Sequence, residues 1–182
     1  MKKVVLLGDS IRMLGYGTLL PELLKDEYTV WQTAENNQHC KVTQRVLIDY
    51  EKDIADADII HWNNGLWDTA DFFGETFTEV KTYVNTMVRI ARRLKTITDK
   101  VIFATTTPTA AAHPTQDNAV IRAFNAAVVP ALEAEGVVIN DLYTTVAADV
   151  DTLICDDLIH LSEAGIRVCA EQVANTIRAI DR

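Results

Sequence analysis

No run of apolar residues in this 182-residue chain approaches the roughly 20 needed to span a bilayer. Cysteine is scarce and odd in number. Cys40, Cys155 and Cys169 stand at irregular spacings, which argues against a disulfide framework and for a reducing compartment, so a cytoplasmic location is expected. Basic charge is short as well: 17 Lys and Arg against 26 Asp and Glu leave a net charge of -9. That balance disfavours nucleic acid, because such binding depends on a basic surface that neutralises phosphates, and it would repel anionic lipid. The largest basic cluster, "ARRLK" at 91 to 95, lies on a predicted helix and reads as a solvated face. Internal repeats, low-complexity tracts and linkers are missing, and the length fits one domain spanning 1-182. The opening "MKKVVLLGDS" has lysines before an apolar run, but Val4 to Leu7 is shorter than the 7 to 15 residues of a secretory core, and it reads as a first strand.

What is present is an alternation of short β-branched runs with longer amphipathic ones. That pattern predicts a three-layer α/β/α fold, a five-stranded parallel sheet of flavodoxin-like order wrapped in helices. The expected strands are Lys3 to Leu7, Tyr28 to Gln32, Asp58 to Trp62, Val101 to Ala104 and Val137 to Ile139. Phe77, Val80, Val84, Met87, Ala91 and Leu94 recur at three and four and predict a helix. Another is expected from Asp117 to Glu135, kinked or split at Pro130, and a last one carries Ile166, Ala170, Val173 and Ile177 behind a Ser162 cap.

Ligands of such sheets bind beyond the carboxyl ends of the strands, where the strand order reverses. The loops expected there are polar: Asp9 and Ser10, "ENNQHC" at 35 to 40, "NNGLWD" at 63 to 68 and "TTTP" at 105 to 108. Ser10 is the candidate nucleophile, with a tight Gly-Asp-Ser turn as the competing reading. A serine hydroxyl needs a base, and a histidine base needs a carboxylate to orient it. Of four histidines, His61 falls inside the third strand and reads as core, while His39 and His113 read as surface or loop residues. His39 and His113 have no acid within three positions before them, whereas His160, outside the predicted strands, has Asp157 three residues earlier, with Asp156 as a rival. Cys155, Asp156, Asp157 and His160 make a poor ligand set without a second histidine, so neither metal nor cofactor is expected.

Taken together, "GDSIR", "NNGLWD" and "DLIHLS" resemble the SGNH, or GDSL-type, hydrolases, and among them the small esterases. The resemblance implies an α/β/α fold and acyl transfer through a covalent acyl-serine. Ser10 would attack, His160 would serve as base and then acid, and Asp157 would orient His160. The oxyanion hole would comprise the Ser10 N–H, a backbone N–H after the second strand at Asn37, where the family has glycine, and an asparagine amide from Asn63 or Asn64. Asn63 is preferred because it stands at the predicted strand end.

Trp62, Trp67, Phe72 and Phe73 follow or end the third strand and are expected either to wall an acyl or sugar subsite, Trp67 first among them, or to cover the next helix. Arg12 would meet an anionic or hydroxyl-rich substrate or pair with Asp9, and Asp68 would fix its own loop. The expected reaction is hydrolysis of a short-chain, acetyl-type ester of a small molecule or carbohydrate. The alternatives are an acyltransferase using the same serine, or a non-catalytic flavodoxin-like binding module. A flavin site is disfavoured because the first loop lacks a Ser/Thr- and Gly-rich phosphate cradle, and a phospho-receiver because Asp9 lacks partner acids. Oligomeric state is not encoded in any motif.

Overall fold

A computed structural model describes residues 1–182. Five parallel strands, β1 (Lys2–Leu7), β2 (Tyr28–Gln32), β3 (Ile59–Asn63), β4 (Val101–Ala104) and β5 (Val138–Asn140), form one sheet in the order β2-β1-β3-β4-β5. Successive side chains of a strand point to opposite faces, so a strand buried on both sides must be apolar throughout. β1 shows this directly. Val4 and Leu6 join the core under one layer of helices, while Val5 and Leu7 join the core under the other. The first layer is dominated by the C-terminal helix α4 (Glu163–Ile180), which buries Cys169, Ala170, Val173, Ala174 and Ile177. The second contains α1 (Cys40–Asp49), α2 (Val80–Lys95) and α3 (Asn118–Ala134).

The expected strands fall within a residue of those observed. Two helices differ from expectation for physical reasons. α2 begins at Val80, where the Glu79 carboxylate caps the Thr82 N–H at 3.2 Å, rather than at Phe77. The Phe77 N–H is instead taken by the Ala70 carbonyl, and its ring packs against Phe72 and His39. α3 runs unbroken through Pro130. Pro130 and Ala126, whose carbonyl loses its partner there, both lie on the exposed face, where water can take up the carbonyl. Ile121, Phe124, Val128 and Leu132 hold the buried face across the proline.

The strand order reverses between β1 and β3, so the chain leaves these neighbouring strands toward opposite edges of the sheet and opens a crevice beyond their C-terminal ends. No helix is long and apolar enough to cross a membrane.

Because Pro130 costs α3 a hydrogen bond without contributing to the core, Pro130→Ala should stabilise the protein. The expected gain in denaturant unfolding is about 1–2 kcal/mol, less than the full helix-interior penalty because proline also restricts the unfolded chain. A loss of stability would show that the proline makes a contact the helix needs.

Candidate active site

β1 ends because Gly8 turns the chain. Its φ of +148° is open to glycine, and a Cβ built there would stand 1.9 Å from Asn63 Oδ1. Asn37 clamps the turn from the β2 side: its Oδ1 accepts the Gly8 N–H at 2.7 Å and its own N–H donates to the Gly8 carbonyl at 3.1 Å. The chain then winds into five residues of π-helix, Ile11–Gly15. Asp9 starts this turn by accepting the Ile11 N–H at 2.9 Å, and Ser10 follows, 8% exposed. The Ser10 N–H has no acceptor within the protein.

His160 reaches Ser10 from 150 positions away in sequence, its Nε2 2.9 Å from the serine Oγ. Its Nδ1 lies 2.6 Å from Asp157 Oδ2. Asp157 Oδ1 meanwhile accepts the backbone N–H groups of Ile159 and His160 at 3.0 and 2.9 Å and the Cys155 thiol at 3.1 Å. Burial raises the Asp157 carboxyl, but the bonds from the His160 backbone and ring, Ile159 and Cys155 outweigh it and hold the group well below the usual carboxylate range. Between the two residues Leu158 takes a left-handed backbone, φ +72°, which an L side chain adopts at a cost. The segment closes on itself through the Cys155 N–H on the His160 carbonyl at 2.8 Å and an antiparallel bridge of Ile154 with Leu161. Asp156, the rival carboxylate, is exposed and makes no bond to His160. A hydroxyl, an imidazole and a carboxylate so linked can pass the serine proton to His160 and stabilise the imidazolium that results.

The asparagines divide differently from expectation. Asn37 cannot offer its N–H to a ligand, since Gly8 already accepts it. Its neighbour Asn36 lines the crevice instead; Asn36 Oδ1 accepts the Gln38 N–H, while its backbone N–H and its Nδ2 have no acceptor within the protein. Asn64 points into the helical layer, donating to the Gln38 carbonyl at 2.9 Å and accepting from Thr43 at 2.8 Å, so it is not an oxyanion candidate. Asn63 lies against Gly8. Its Oδ1 accepts the Tyr16 hydroxyl at 2.9 Å, and its Nδ2 spends one proton on Asp9 Oδ1 at 2.7 Å and keeps a second. Burial pushes the Asp9 carboxyl up, against the lowering effect of Asn63, Ile11 and Arg12.

Arg12 is likewise removed from any substrate role. Only 1% exposed, it donates to the carbonyls of Thr33, Gly8 and Glu35 at 2.7, 3.1 and 2.8 Å, and so ties together the loops after β1 and β2. It makes no salt bridge with Asp9. Asp68 also acts beyond its own loop, accepting the Cys40 N–H at 3.0 Å at the positive end of α1. His61 is fully buried in β3, edge-on to Tyr16, and burial drives its ring down to about 3, so it stays neutral.

A cavity of about 340 Å³ opens over Ser10 and His160, walled by Asn36, Trp67, Phe72 and His113. The expected aromatic cluster thus splits. Trp67 and Phe72 line the cavity, whereas Trp62 is buried against Phe103 and Phe73 is 87% exposed. His113 was legible only as a loop residue, because its place beside Ser10 depends on how the segment after β4 folds back. A larger groove, about 440 Å³ between α1 and α2, carries no hydroxyl, thiol or histidine. No three His, Cys, Asp or Glu side chains converge as metal ligands would.

No protein-family model matches the sequence, and no curated protein matches it significantly. Solved structures do match. A lipase/acylhydrolase from Enterococcus faecalis superposes with a TM-score of 0.85 over 98% of this chain and 96% of its own, at 19% identity. The chain has the fold of that hydrolase. An acetyl xylan esterase matches at 0.81, with 17% identity over 95% of this chain and 98% of the other. An acetylxylan esterase from Geobacillus stearothermophilus matches at 0.76, with 18% identity over 97% and 94%. The shared hydrolase fold agrees with the α/β/α architecture implied by "GDS" and "DLIH".

Two substitutions probe this geometry. Gly8→Ala should cost about 1–3 kcal/mol in denaturant unfolding, from the strained φ and the displaced Asn63 side chain; an unchanged midpoint would contradict the close approach. For Asp157, held below the usual value of about 3.9, the stabilisation is fully present above that pH and lost as pH falls below it. Asp157→Asn should therefore flatten the acid limb of stability measured by thermal melts between about pH 4 and pH 2. A limb of unchanged steepness would refute the assignment.

Proposed function

We propose that this protein is an SGNH-type serine esterase acting on short-chain, acetyl-type carboxylic esters. The observation that carries the reading is the unbroken relay from Ser10 Oγ to His160 Nε2, 2.9 Å, and from His160 Nδ1 to Asp157 Oδ2, 2.6 Å, at the floor of an open cavity. His160 takes the Ser10 proton as the hydroxyl attacks the ester carbonyl. The tetrahedral intermediate collapses with transfer of that proton to the departing alcohol, leaving an acyl-serine. Water activated by His160 then releases the acid and restores the serine.

The developing oxyanion needs donors that are aimed but unused in the resting protein. Three donors around Ser10 are unused in this way: the Ser10 N–H, an Asn36 N–H and the second proton of Asn63 Nδ2. The Asp9 carboxylate and the Tyr16 hydroxyl orient the Asn63 amide from its two ends, since an acceptor holds the nitrogen and a donor the oxygen. A cavity of about 340 Å³ suits a small acyl group with its alcohol, and its Trp67 and Phe72 walls suit the apolar face of a sugar ring. The acetyl xylan esterases among the similar structures support a carbohydrate acetate as substrate.

The test is hydrolysis of p-nitrophenyl acetate. Ser10→Ala should lower kcat by at least about 1000-fold, and Asn63→Ala by about 100- to 1000-fold with little change in KM. Equal rates for the wild type and Ser10→Ala would refute the mechanism.

A further inference from the structure

His113 plays no part in the relay just described, yet it stands in the wall of the same cavity as Ser10 and His160. Its position is built rather than accidental. The segment from Thr105 to Asp117 folds back from the end of β4, and the Ala110 N–H donates to the Leu158 carbonyl at 2.9 Å, which docks the segment on the turn between Asp157 and His160. The His113 N–H then donates to the Ala110 carbonyl at 3.0 Å, closing a tight turn at the cavity wall.

The ring has a defined polarity. Its Nδ1 accepts the Thr115 N–H at 3.3 Å, which requires a lone pair on that nitrogen. In a neutral imidazole the proton then resides on Nε2, which has no acceptor within the protein. Partial burial works against protonation, Asp157 favours it, and the neighbouring His160 opposes it; the net direction is downward, toward a neutral ring. Trp67 and Phe72, tilted rings with centroids 6.3 Å apart, supply apolar wall in the same cavity. A ligand that fills such a space has an apolar face for the rings and an oxygen for one directed donor. A sugar ester meets both requirements, and a plain alkyl or aryl ester only the first.

We propose that His113 Nε2–H donates to an oxygen on the alcohol side of the ester, making His113 a specificity-determining residue that favours carbohydrate esters. This rests on the serine-esterase reading of the site. The contact belongs to the bound alcohol rather than to the reacting carbonyl, so it acts mainly on binding. A site with a donor aimed at a substrate oxygen discriminates against analogues that lack that oxygen.

The experiment compares kcat/KM for a mono-O-acetylated methyl xyloside with that for phenyl acetate, in the wild type, His113→Phe and His113→Gln. With His113→Phe, the loss on the sugar ester should exceed the loss on the aryl ester by roughly tenfold, the scale of one neutral hydrogen bond, and should appear chiefly in KM. His113→Gln, which retains an N–H donor, should recover most of the preference. Equal losses on both esters, or no recovery with Gln, would overturn the assignment of His113 while leaving Ser10-dependent hydrolysis standing. No Ser10-dependent hydrolysis of either ester by the wild type would overturn the functional reading, and the His113 proposal with it.

Discussion

The arrangement of this protein depends on one close approach: the side chain of Asn63, from the end of β3, lies against the backbone of Gly8 at the end of β1, in space a Cβ would occupy. These two strands are where the sheet order reverses, and the approach fixes how their ends meet. With Gly8 bound on its other side to Asn37, the turn that carries Ser10 is held from both neighbouring strands. Arg12 adds a buried cation whose donors are spent on loop carbonyls, a fitting use for a guanidinium that has been withdrawn from water. The turn that carries the serine is thereby tied by hydrogen bonds to the ends of the strands on both sides.

Electrostatically, the two carboxylates near Ser10 are treated in opposite ways. Asp157 is half exposed and receives several donors, so its charge is favoured. Asp9 is almost completely buried, with Oδ2 unpartnered, so its charge is disfavoured. A histidine partner benefits from a reliable anion, whereas Asp9 needs only its Oδ1 as an acceptor for Ile11 and Asn63, a role it fills in either protonation state. The two environments therefore match the two tasks.

Much of this was legible in the sequence. The strands announced themselves because a parallel sheet buried on both faces must be apolar at every position; Ser10 stood out where an apolar run stops, Asp157 stood three residues before His160, and the resemblance to SGNH hydrolases is what joined the three. What stayed hidden depended on contacts between distant segments. Whether Asn36 or Asn37 faces the cavity is decided by which of them Gly8 engages, and neighbouring asparagines look alike in one dimension. Arg12 and His113 were hidden for the same reason in opposite senses: a charged residue beside the nucleophile proved to be internal scaffolding, and a histidine legible as a loop residue proved also to line the cavity. Pro130 shows tertiary packing overriding local propensity, since a well-buried face carries a helix across a residue that would break it in isolation.

The eight residues from Ile154 to Leu161 close on themselves, so Asp157 and His160 can meet with little help from the rest of the chain, whereas Ser10 joins them across 150 positions. The two contacts therefore differ in range, one local to a single turn and the other spanning most of the chain. The second contact exists only where the first strand and the last loop are brought together by the sheet between them.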